Sequence, residues 1–380
     1  MIYFDNAATS GVKPAPVVEA VKNSLIRLSA NPGRSGHTLS LAADKMIFEC
    51  RSKVAKFFGA DGAENVVFTQ NCTTALNFVI KGNLAYGNHV VTSSLEHNSV
   101  ARPLETLRKR GLISYDLAEV FFADPDATLR SFEKTITKST KMVICTHASN
   151  VTGTVLPIAK IGALCKSKGI LFCVDAAQTA GVLKINMKEM NIDFLCVAAH
   201  KGLFAPMGTG ILIARKPIRD TVIEGGTGSK SMLVIQPNEL PEGFESGTVN
   251  VPGIAGISAG IDFINGKGVE KIYHHEMNMM NQIYEKLRSV KGIQFYASPP
   301  KMGLTVPVMS VNIRHKTSSE VAEYLNNHNI AVRSGLHCAP MAHKRLGTIE
   351  NGTVRISPSI FNTSADINGL IAALSRVNNY

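Results

Sequence analysis

Short apolar runs recur between residues 60 and 215, separated by segments whose apolar residues have helical spacing. The runs are rich in β-branched residues and apolar on both faces, which is typical of strands in a mostly parallel sheet covered by helices. The predicted strands are residues 66–69, 90–92, 142–145, 170–174, 194–197 and 211–213. Between the third and fourth of these, Ile158, Ile161, Leu164 and Cys165 predict a helix, so this part forms a strand–helix–strand unit.

The last third of the chain predicts a smaller arrangement of helices and strands. Apolar periodicity predicts a long helix near residues 268–290 and a helix that closes the chain. Apolar runs at 308–313 and 330–333 predict strands on either side of another helix. The expected helix caps are Ser318 or Ser319 for this middle helix and Thr363 or Ser364 for the last one.

These patterns and the length of 380 residues favour two domains. We predict an α/β protein whose large domain, residues 16–255, is built on a mostly parallel mixed sheet. Residues 1–15 and 256–380 are expected to form a smaller α+β domain.

Composition narrows the class of protein. Hydrophobic residues make up 45% of the chain and charged residues 18%, as in globular proteins. The sequence has neither a long apolar run nor the features of a secretory signal, so we expect a cytoplasmic protein without membrane contact. The net charge is +11, but the basic residues are scattered and do not alternate with aromatic ones. We therefore expect no nucleic-acid binding, and an anionic small ligand or an acidic protein partner instead.

The seven cysteines include no C-x-x-C pair, which disfavours disulfides and a structural zinc site, and no metal is expected. Cys145, Cys173 and Cys196 stand among apolar residues and are interpreted as small buried hydrophobic side chains. Cys338 differs because it lies in RSGLHCAP, among glycine, histidine and proline.

Polar side chains follow five of the predicted strands. Ligands of open α/β sheets bind beyond the carboxyl ends of the strands, so these side chains are expected to share one site. In chain order they are Thr73 and Thr74, Glu96 and His97, residues 147–154, residues 175–178, and His200 with Lys201.

Each of these groups could bind part of a ligand, and each also has a common structural role that needs no ligand. A helix that begins at Thr73 and Thr74 suits a phosphate, or is simply capped there. Asp175 suits a protonated pyridine nitrogen, or a salt bridge or helix cap. His97 could stack on a planar ring or be a loop histidine, and Lys201 could be an imine-forming amine or a surface lysine. Together they describe a pocket for pyridoxal 5'-phosphate (PLP).

The chain resembles the class V, fold-type I PLP enzymes, and specifically the group II (Suf-type) cysteine desulfurases and selenocysteine lyases. The resemblance covers nearly the whole chain. Its motifs are DNAAT (5–9), NPGRSGHT (31–38), VFT (67–69) with TT (73–74), EH (96–97), SNVTGT (149–154), DAAQ (175–178), HK (200–201), FESGT (244–248), RSG (333–335) with HCA (337–339), and RIS (355–357) with NT (362–363).

The resemblance implies how PLP is held in the large domain. Lys201 would bind it covalently, Asp175 would pair with the pyridinium nitrogen, Gln178 would bond the phenolic oxygen and His97 would stack on the ring. Phosphate contacts are implied for Thr73, Thr74, His200 and, from the other subunit of a homodimer, Thr248.

The resemblance also implies a reaction, the conversion of L-cysteine to L-alanine. Asn150 and Arg355 would hold the substrate, with Arg355 on its carboxylate. Lys201 would remove the Cα proton, His97 would share the catalytic site, and Cys338 would take the sulfur as a persulfide. A sulfur- or selenium-acceptor protein is then an expected partner.

Three positions depart from the family pattern. Ala198 and Ala199 stand where the family has Ser-Gly, which removes a phosphate-binding hydroxyl, and Phe361 replaces a tyrosine. The segment 225–231 is longer than usual. On an extended strand His337 would point away from Cys338, so it is not assigned as the base of that thiol.

Other activities remain open at the level of sequence. A selenocysteine lyase would use the same residues. Transamination would need no Cys338, and a non-catalytic or nucleic-acid-binding relative would not need Lys201 and Asp175.

Overall fold

A seven-stranded sheet is the centre of the larger part of the molecule in the computed structural model, which describes residues 1–33, 35–228 and 230–377. Arg34 of the motif at 31–38 and Ser229 of the segment 225–231 lie outside the described residues. The strands of the seven-stranded sheet, in chain order, are β2 (Val66–Thr69), β3 (Asn88–Ser93), β4 (Ile113–Ala118), β5 (Thr140–Thr146), β6 (Leu171–Asp175), β7 (Phe194–Ala198) and β8 (Gly210–Ala214).

The spatial order of this sheet is β2-β8-β7-β6-β5-β3-β4. Strand β8 is antiparallel to both of its neighbours, and the other adjacent pairs are parallel. The predicted α/β class with a mostly parallel mixed sheet is therefore confirmed. The carboxyl ends of β2, β3, β5, β6 and β7 lie at one edge, because β2 and β7 both oppose β8.

Helices cover this sheet on both faces, with one apolar cluster on each side. In the described chain they are α1 (Ala15–Arg27), α2 (Thr38–Phe58), α3 (Cys72–Asn83), α4 (Asn98–Lys109), α5 (Pro125–Thr135), α6 (Ile158–Ser167) and α7 (Val251–Lys267), with 3-10 turns at Ala63–Asn65 and Glu242–Phe244. Buried strands covered in this way need apolar side chains on both faces, which explains why their sequences lack alternation.

Strand β4 was not predicted from the sequence. It occupies the edge of the sheet and pairs only with β3 among the described strands, and it exposes Asp116 and Leu117. An edge strand that is half in contact with water carries polar residues, so it lacks the apolar run that marks the inner strands.

The remaining described elements form the smaller part of the molecule. They are β1 (Ile2–Tyr3), α8 (Val269–Leu287), β9 (Ile293–Phe295), β10 (Met309–Ile313), α9 (Ser318–Asn327), β11 (Ile330–Ala331), β12 (Arg333–Gly335), α10 (Pro340–Leu346), β13 (Thr353–Ile356) and α11 (Ser364–Arg376). Four of these strands form a second, antiparallel sheet in the order β12-β13-β10-β9. Helices α8, α9 and α11 share a separate apolar cluster with this sheet. Strands β1 and β11 pair in parallel and form a separate two-stranded sheet.

The cap of α9 is neither Ser318 nor Ser319. Thr317 caps it, and its hydroxyl and the Glu320 carboxylate satisfy each other's backbone N–H groups in a capping box. Thr363 caps α11, as predicted.

The predicted boundary between residues 255 and 256 falls inside α7. Ile254, Ile257, Ile261 and Ile264 of this helix join the apolar cluster of the large sheet. The division into a domain of residues 16–255 and a domain of residues 1–15 and 256–380 remains a prediction. No helix of the described residues combines the length and apolar character needed to span a bilayer.

Candidate active site

A cavity of about 700 Å³, measured with its opening, lies at the carboxyl ends of five strands of the large sheet. Residues that follow each of β2, β3, β5, β6 and β7 contribute to its wall, together with Ala8 from the N-terminal segment. The side chains of predicted function that line it are Thr73, His97, Asn150, Asp175, Gln178, His200 and Lys201. The strand order thus brings together residues that are up to 128 positions apart in the chain, from 73 to 201.

Lys201 lies in a turn just after β7, where its backbone N–H donates to the carbonyl of Ala198 at 3.2 Å. Burial, reinforced by the positive charge of Arg355, lowers the pKa of Lys201 to about 8. The carboxylate of Asp175 opposes this shift. A lysine in such surroundings is partly neutral near physiological pH, which is the form that attacks a carbonyl carbon.

Asp175 ends β6 and is buried. Its Oδ1 accepts the backbone N–H of Ala177 at 2.9 Å and lies 3.5 Å from Sγ of Cys72. None of the described hydrogen bonds or ion pairs involves Oδ2. A buried carboxylate needs a cationic or hydrogen-bonding partner, so this position suits a cation that enters the cavity.

His97 stands immediately before α4 and caps it, since Nδ1 accepts the backbone N–H of Ser99 at 3.1 Å. Nδ1 also lies 2.8 Å from the Ser99 hydroxyl, which in turn lies 2.7 Å from the hydroxyl of Thr73. Burial lowers the pKa of His97 to about 4, so the ring is neutral at pH 7. A neutral, fixed imidazole can pack on a planar ring without bringing a second positive charge beside Lys201.

Glu96 immediately precedes His97 in the chain and is fully buried. Its Oε1 accepts from the Ser93 hydroxyl and from the backbone N–H of Thr146 at 2.9 Å, while Oε2 has no partner among the described residues. Burial raises the pKa of Glu96 to about 8. This side chain joins the end of β3, at Ser93, to the end of β5, at Thr146.

The N-terminal segment forms one side of the cavity. Oγ1 of Thr9 lies 3.1 Å from Nδ1 of His200, and Nε2 of Gln178 donates to the carbonyl of Ala7 at 3.1 Å. Burial and the neighbouring charge of Lys201 lower the pKa of His200 to about 4. His200 is therefore neutral at pH 7 and can donate or accept one hydrogen bond at each ring nitrogen.

Thr74 and Thr248 lie in a neighbouring cavity of about 1030 Å³, and neither lines the Lys201 cavity among the described residues. Asn71 is the cap of α3, and its Oδ1 accepts both the backbone N–H and the hydroxyl of Thr74, at 2.9 and 3.2 Å. Thr248 is exposed. The phosphate contacts expected of these two threonines remain predictions.

Arg355 lies on β13 with only 1% of its surface exposed, and it is not among the described residues that line the cavity. Its Nη1 donates to the carbonyl of Asn150 at 3.2 Å, and its Nη2 pairs with Oδ1 of Asp5 at 2.7 Å. Asn150 does line the cavity, and its Nδ2 donates to the carbonyl of His337 at 2.8 Å. Asn150 therefore connects both Arg355 and the loop between β12 and α10, which contains His337 and Cys338, to the site.

Cys338 lies in the loop between β12 and α10 and is exposed, whereas the other six cysteines are buried. Its carbonyl accepts the backbone N–H of Asn98 at 2.7 Å, directly after His97. Nη2 of Arg333 lies 3.9 Å from Sγ of Cys338. Burial raises the pKa of Cys50 and Cys165 to about 12, so these two thiols stay protonated.

The expectation that His337 lies on an extended strand was wrong. His337 and Cys338 have φ angles of 48° and 56°, which is the left-handed region, and form a tight turn. The His337 ring is nevertheless directed away from solvent, with Nε2 3.0 Å from the carbonyl of Thr353. Burial lowers its pKa to about 2, so it stays neutral and structural.

Comparison with known proteins covers nearly the entire chain. The model of the family described as aminotransferase class-V matches residues 2–370. A "probable cysteine desulfurase" of Methanothermobacter thermautotrophicus is 33% identical over 99% of this chain and 94% of its own length. A cysteine desulfurase of Salmonella agona is 30% identical over 99% of this chain and 93% of its own.

The chain belongs to the class-V aminotransferase family. Within that family, the apo structure of the cysteine desulfurase from Thermococcus onnurineus superposes with a TM-score of 0.88 at 33% identity, over 100% of this chain and 95% of the other. The resemblance that the motifs indicated is thus confirmed, and the relatives favour the desulfurases over the alternative activities.

Two departures from the class-V pattern can be located. Ala198, at the end of β7, lines the cavity at the place of the missing hydroxyl. Phe361 packs into an aromatic cluster, with its ring centroid 5.8 Å from that of Phe204 and 6.1 Å from that of Phe263. A hydroxyl is therefore absent at the first position, while the second is filled by apolar packing.

Three side chains that contact residues of this class-V site were not predicted from the sequence. Asp5 contacts Arg355, Ser99 contacts His97, and Arg333 contacts Cys338. Asp5 and Arg333 stand inside motifs of the resemblance but received no role. Ser99 had a local signal, because a serine two residues after a capping histidine is within reach of its ring.

Proposed function

We propose that this chain is a PLP-dependent cysteine desulfurase that converts L-cysteine to L-alanine and takes the sulfur on Cys338. The observation that carries the proposal is the convergence of Lys201, Asp175 and His97 on one cavity from three strand ends. The exposed Cys338 is joined to that cavity through Asn98, which follows His97. The desulfurase names of relatives above 30% identity support the same activity.

Members of this family depend on PLP, and the cavity fits that cofactor. Asp175 offers a buried carboxylate with an oxygen that no described residue bonds, which suits a pyridinium nitrogen, and Gln178 lies beside it for the phenolic oxygen. His200 and Thr73 offer polar groups for the phosphate. When bound, PLP supplies an electron-withdrawing ring that accepts the electrons of the substrate Cα–H bond.

Lys201 would hold the cofactor and, once released by the substrate amine, accept the Cα proton at Nζ. Its pKa of about 8 suits both tasks, because a general base works best when its pKa lies near the operating pH. Neutral His97 would keep the ring in place without adding charge. The same lysine would later return a proton to the alanine carbon.

Cys338 would attack the substrate sulfur as a thiolate. The new bond joins Sγ of Cys338 to that sulfur, the Cβ–S bond breaks, and the electron pair left on carbon takes a proton to give the alanine methyl group. The products are L-alanine and a persulfide on Cys338. The guanidinium of Arg333 faces the thiolate as a complementary charge. A reducing compartment such as the cytoplasm keeps such a thiol free.

A homodimer and an acceptor protein for the persulfide complete the proposal. Large apolar side chains are exposed in the single chain around the segment that leads to Thr248, and such patches mark protein contacts. They are Met207, Ile223, Met232, Leu233, Val234 and Ile235. Covering them with a second copy would also bring a partner surface to the exposed Thr248.

The deciding experiment measures L-alanine released from L-cysteine in the presence of a reductant. We expect the wild type and Cys165→Ala, which removes a buried thiol, to release alanine and sulfide, and Cys338→Ala to release neither. Full activity of Cys338→Ala would remove Cys338 from the mechanism. A yellow, PLP-loaded wild type without alanine release would disprove the substrate, and selenocysteine and keto-acid acceptors would then separate a lyase from a transaminase.

A further inference from the structure

Arg355, the residue expected to bind the substrate carboxylate, is already paired with a carboxylate from the protein. Nη2 of Arg355 lies 2.7 Å from Oδ1 of Asp5. The Arg355 side chain is 1% exposed and that of Asp5 is 19% exposed. Solvent hardly screens the attraction between these two charges, and removing either partner would leave an uncompensated buried charge.

Asp5 is held there by backbone pairing with the strand that carries Arg355. It forms a parallel bridge with Ser357, two residues beyond Arg355. The backbone N–H of Asn6 donates to the carbonyl of Ser357 at 3.3 Å, and that of Ala7 donates to its hydroxyl at 2.9 Å. The backbone position of Asp5 beside the strand that carries Arg355 is therefore built into the fold.

The other N–H donors of Arg355 do not all have acceptors among the described residues. Nη1 donates to the carbonyl of Asn150, and Nε is buried with no partner among the described residues. A guanidinium has five N–H donors in a planar fork that matches a carboxylate. Asp5 takes one end of this fork, and Nε is left without an acceptor among the described residues.

We propose that Asp5 is a placeholder that the substrate carboxylate must displace from Arg355, an inference that rests on the desulfurase function proposed above. Without substrate, Asp5 neutralises a buried cation that would otherwise be unpaired. With substrate, its negative charge competes for the same guanidinium. The competition weakens the hold on the carboxylates of both L-cysteine and L-alanine, and so it speeds the release of the product.

The test compares the binding of L-alanine and ethylamine to the PLP-loaded enzyme, followed by the visible absorbance of the cofactor. The two amines differ by a carboxylate, so the ratio of the ethylamine Kd to the L-alanine Kd measures what the carboxylate contributes. In Asp5→Asn we expect this ratio to rise about tenfold, because a competing charge at a poorly solvated site is removed. Asp5→Glu keeps the charge and should stay near the wild-type ratio. With L-cysteine, Asp5→Asn should lower KM without raising kcat.

An unchanged or lower ratio in Asp5→Asn overturns the inference, as does a wild type that binds the two amines equally. If Asp5 had a purely structural role, Asp5→Asn would weaken the binding of both amines by the same factor and leave the ratio of their Kd values unchanged. Asp5→Ser, a second neutral variant, repeats the comparison without the amide. Alanine release from L-cysteine is measured on the same wild-type preparation, which distinguishes failure of the desulfurase function from failure of the placeholder.

Discussion

The hydroxyl of Ser99 lies 2.8 Å from Nδ1 of His97, and the same hydroxyl lies 2.7 Å from that of Thr73. One side chain therefore fixes both the ring expected to pack on the cofactor and a hydroxyl expected near its phosphate. Because the backbone N–H of Ser99 also bonds Nδ1, the ring is held at the first turn of α4.

Replacing Ser99 by alanine should lower kcat for alanine release about fivefold, since the loss of one buried hydrogen bond to a positioned ring costs about 1 kcal/mol. Steady-state kinetics on L-cysteine measures the change. Ser99→Thr keeps the hydroxyl and is the matched control. Equal kcat for Ser99→Ala and the wild type would contradict the positioning role.

The rate at which the apoenzyme captures PLP should follow the neutral fraction of Lys201. Because burial lowers the pKa of Lys201 to about 8, the rate should rise with pH up to about 8 and then level off. An ordinary lysine, with a pKa of about 10.4, would still gain rate above pH 9. Stopped-flow absorbance measures capture, and Lys201→Ala supplies the blank. A rate that keeps rising to pH 10 would show that Nζ is not desolvated.

Replacing Arg333 by alanine should slow the alkylation of Cys338 by iodoacetamide several-fold. The guanidinium lies 3.9 Å from Sγ, and removing it takes away the positive charge that attracts the thiolate. Arg333→Lys should retain part of the rate. Arg314, an exposed arginine before α9, provides the control variant Arg314→Ala, which should react like the wild type. Unchanged alkylation in Arg333→Ala would remove this contact from the mechanism.

Restoring a hydroxyl at Ala198 should strengthen PLP binding. Ala198 lines the cavity, and an added hydrogen bond of about 1 kcal/mol corresponds to a Kd about fivefold lower for Ala198→Ser. Ala199 is fully buried and does not line this cavity, so Ala199→Ser should bring no gain. Equilibrium titration of each apoenzyme with PLP measures the two Kd values. Equal Kd values for Ala198→Ser and Ala199→Ser would contradict a specific role of the hydroxyl at position 198.

Glu276, on α8, makes stability depend on pH. Burial raises its pKa from 4.5 to about 8, so the folded state keeps the proton that the unfolded chain loses. Its contribution to stability is therefore full below pH 4.5 and is lost as the pH rises to about 8. Glu276→Gln lacks this loss and still offers an oxygen to the backbone N–H of Ile360.

The difference in unfolding free energy between Glu276→Gln and the wild type should grow by roughly 2 kcal/mol from pH 6 to pH 8. Urea denaturation at the two pH values measures it. Glu285→Gln, an exposed position on the same helix, is the control and should show no such growth. A constant difference would mean that Glu276 is ionised in the folded protein.

The inner strands of the large sheet were predictable because strands buried on both faces need apolar, β-branched residues throughout. The convergence of Asp175, His97 and Lys201 followed from the rule that ligands bind at the carboxyl edge. Strand β4 was not predictable in this way, because its edge position allows polar residues. Thr317 was passed over as a cap because the adjacent serines are equally good cap formers, and only the backbone decides among them.

The partners of the site residues could not be derived from the sequence. Asp5 and Arg355 are 350 positions apart, and nothing local in either segment indicates the other. The turn at His337 and Cys338 required left-handed backbone at two residues that are not glycine, which local propensity disfavours. Such features arise from the packing of distant segments.

The N-terminal strand β1 pairs with β11, and Asp5 pairs with Ser357. Asp5 and Ser357 are 352 positions apart, so the segment that carries Ala8 of the cavity wall is held by a strand from a distant part of the sequence. During synthesis the strands of the large sheet, residues 66–214, can pair with one another before residues 330–357 have been made, whereas β1 and Asp5 cannot find their partners until then. A chain cut short before residue 330 would lack the backbone partners of β1 and Asp5, and the wall of the cavity at Ala8 would lose its anchor.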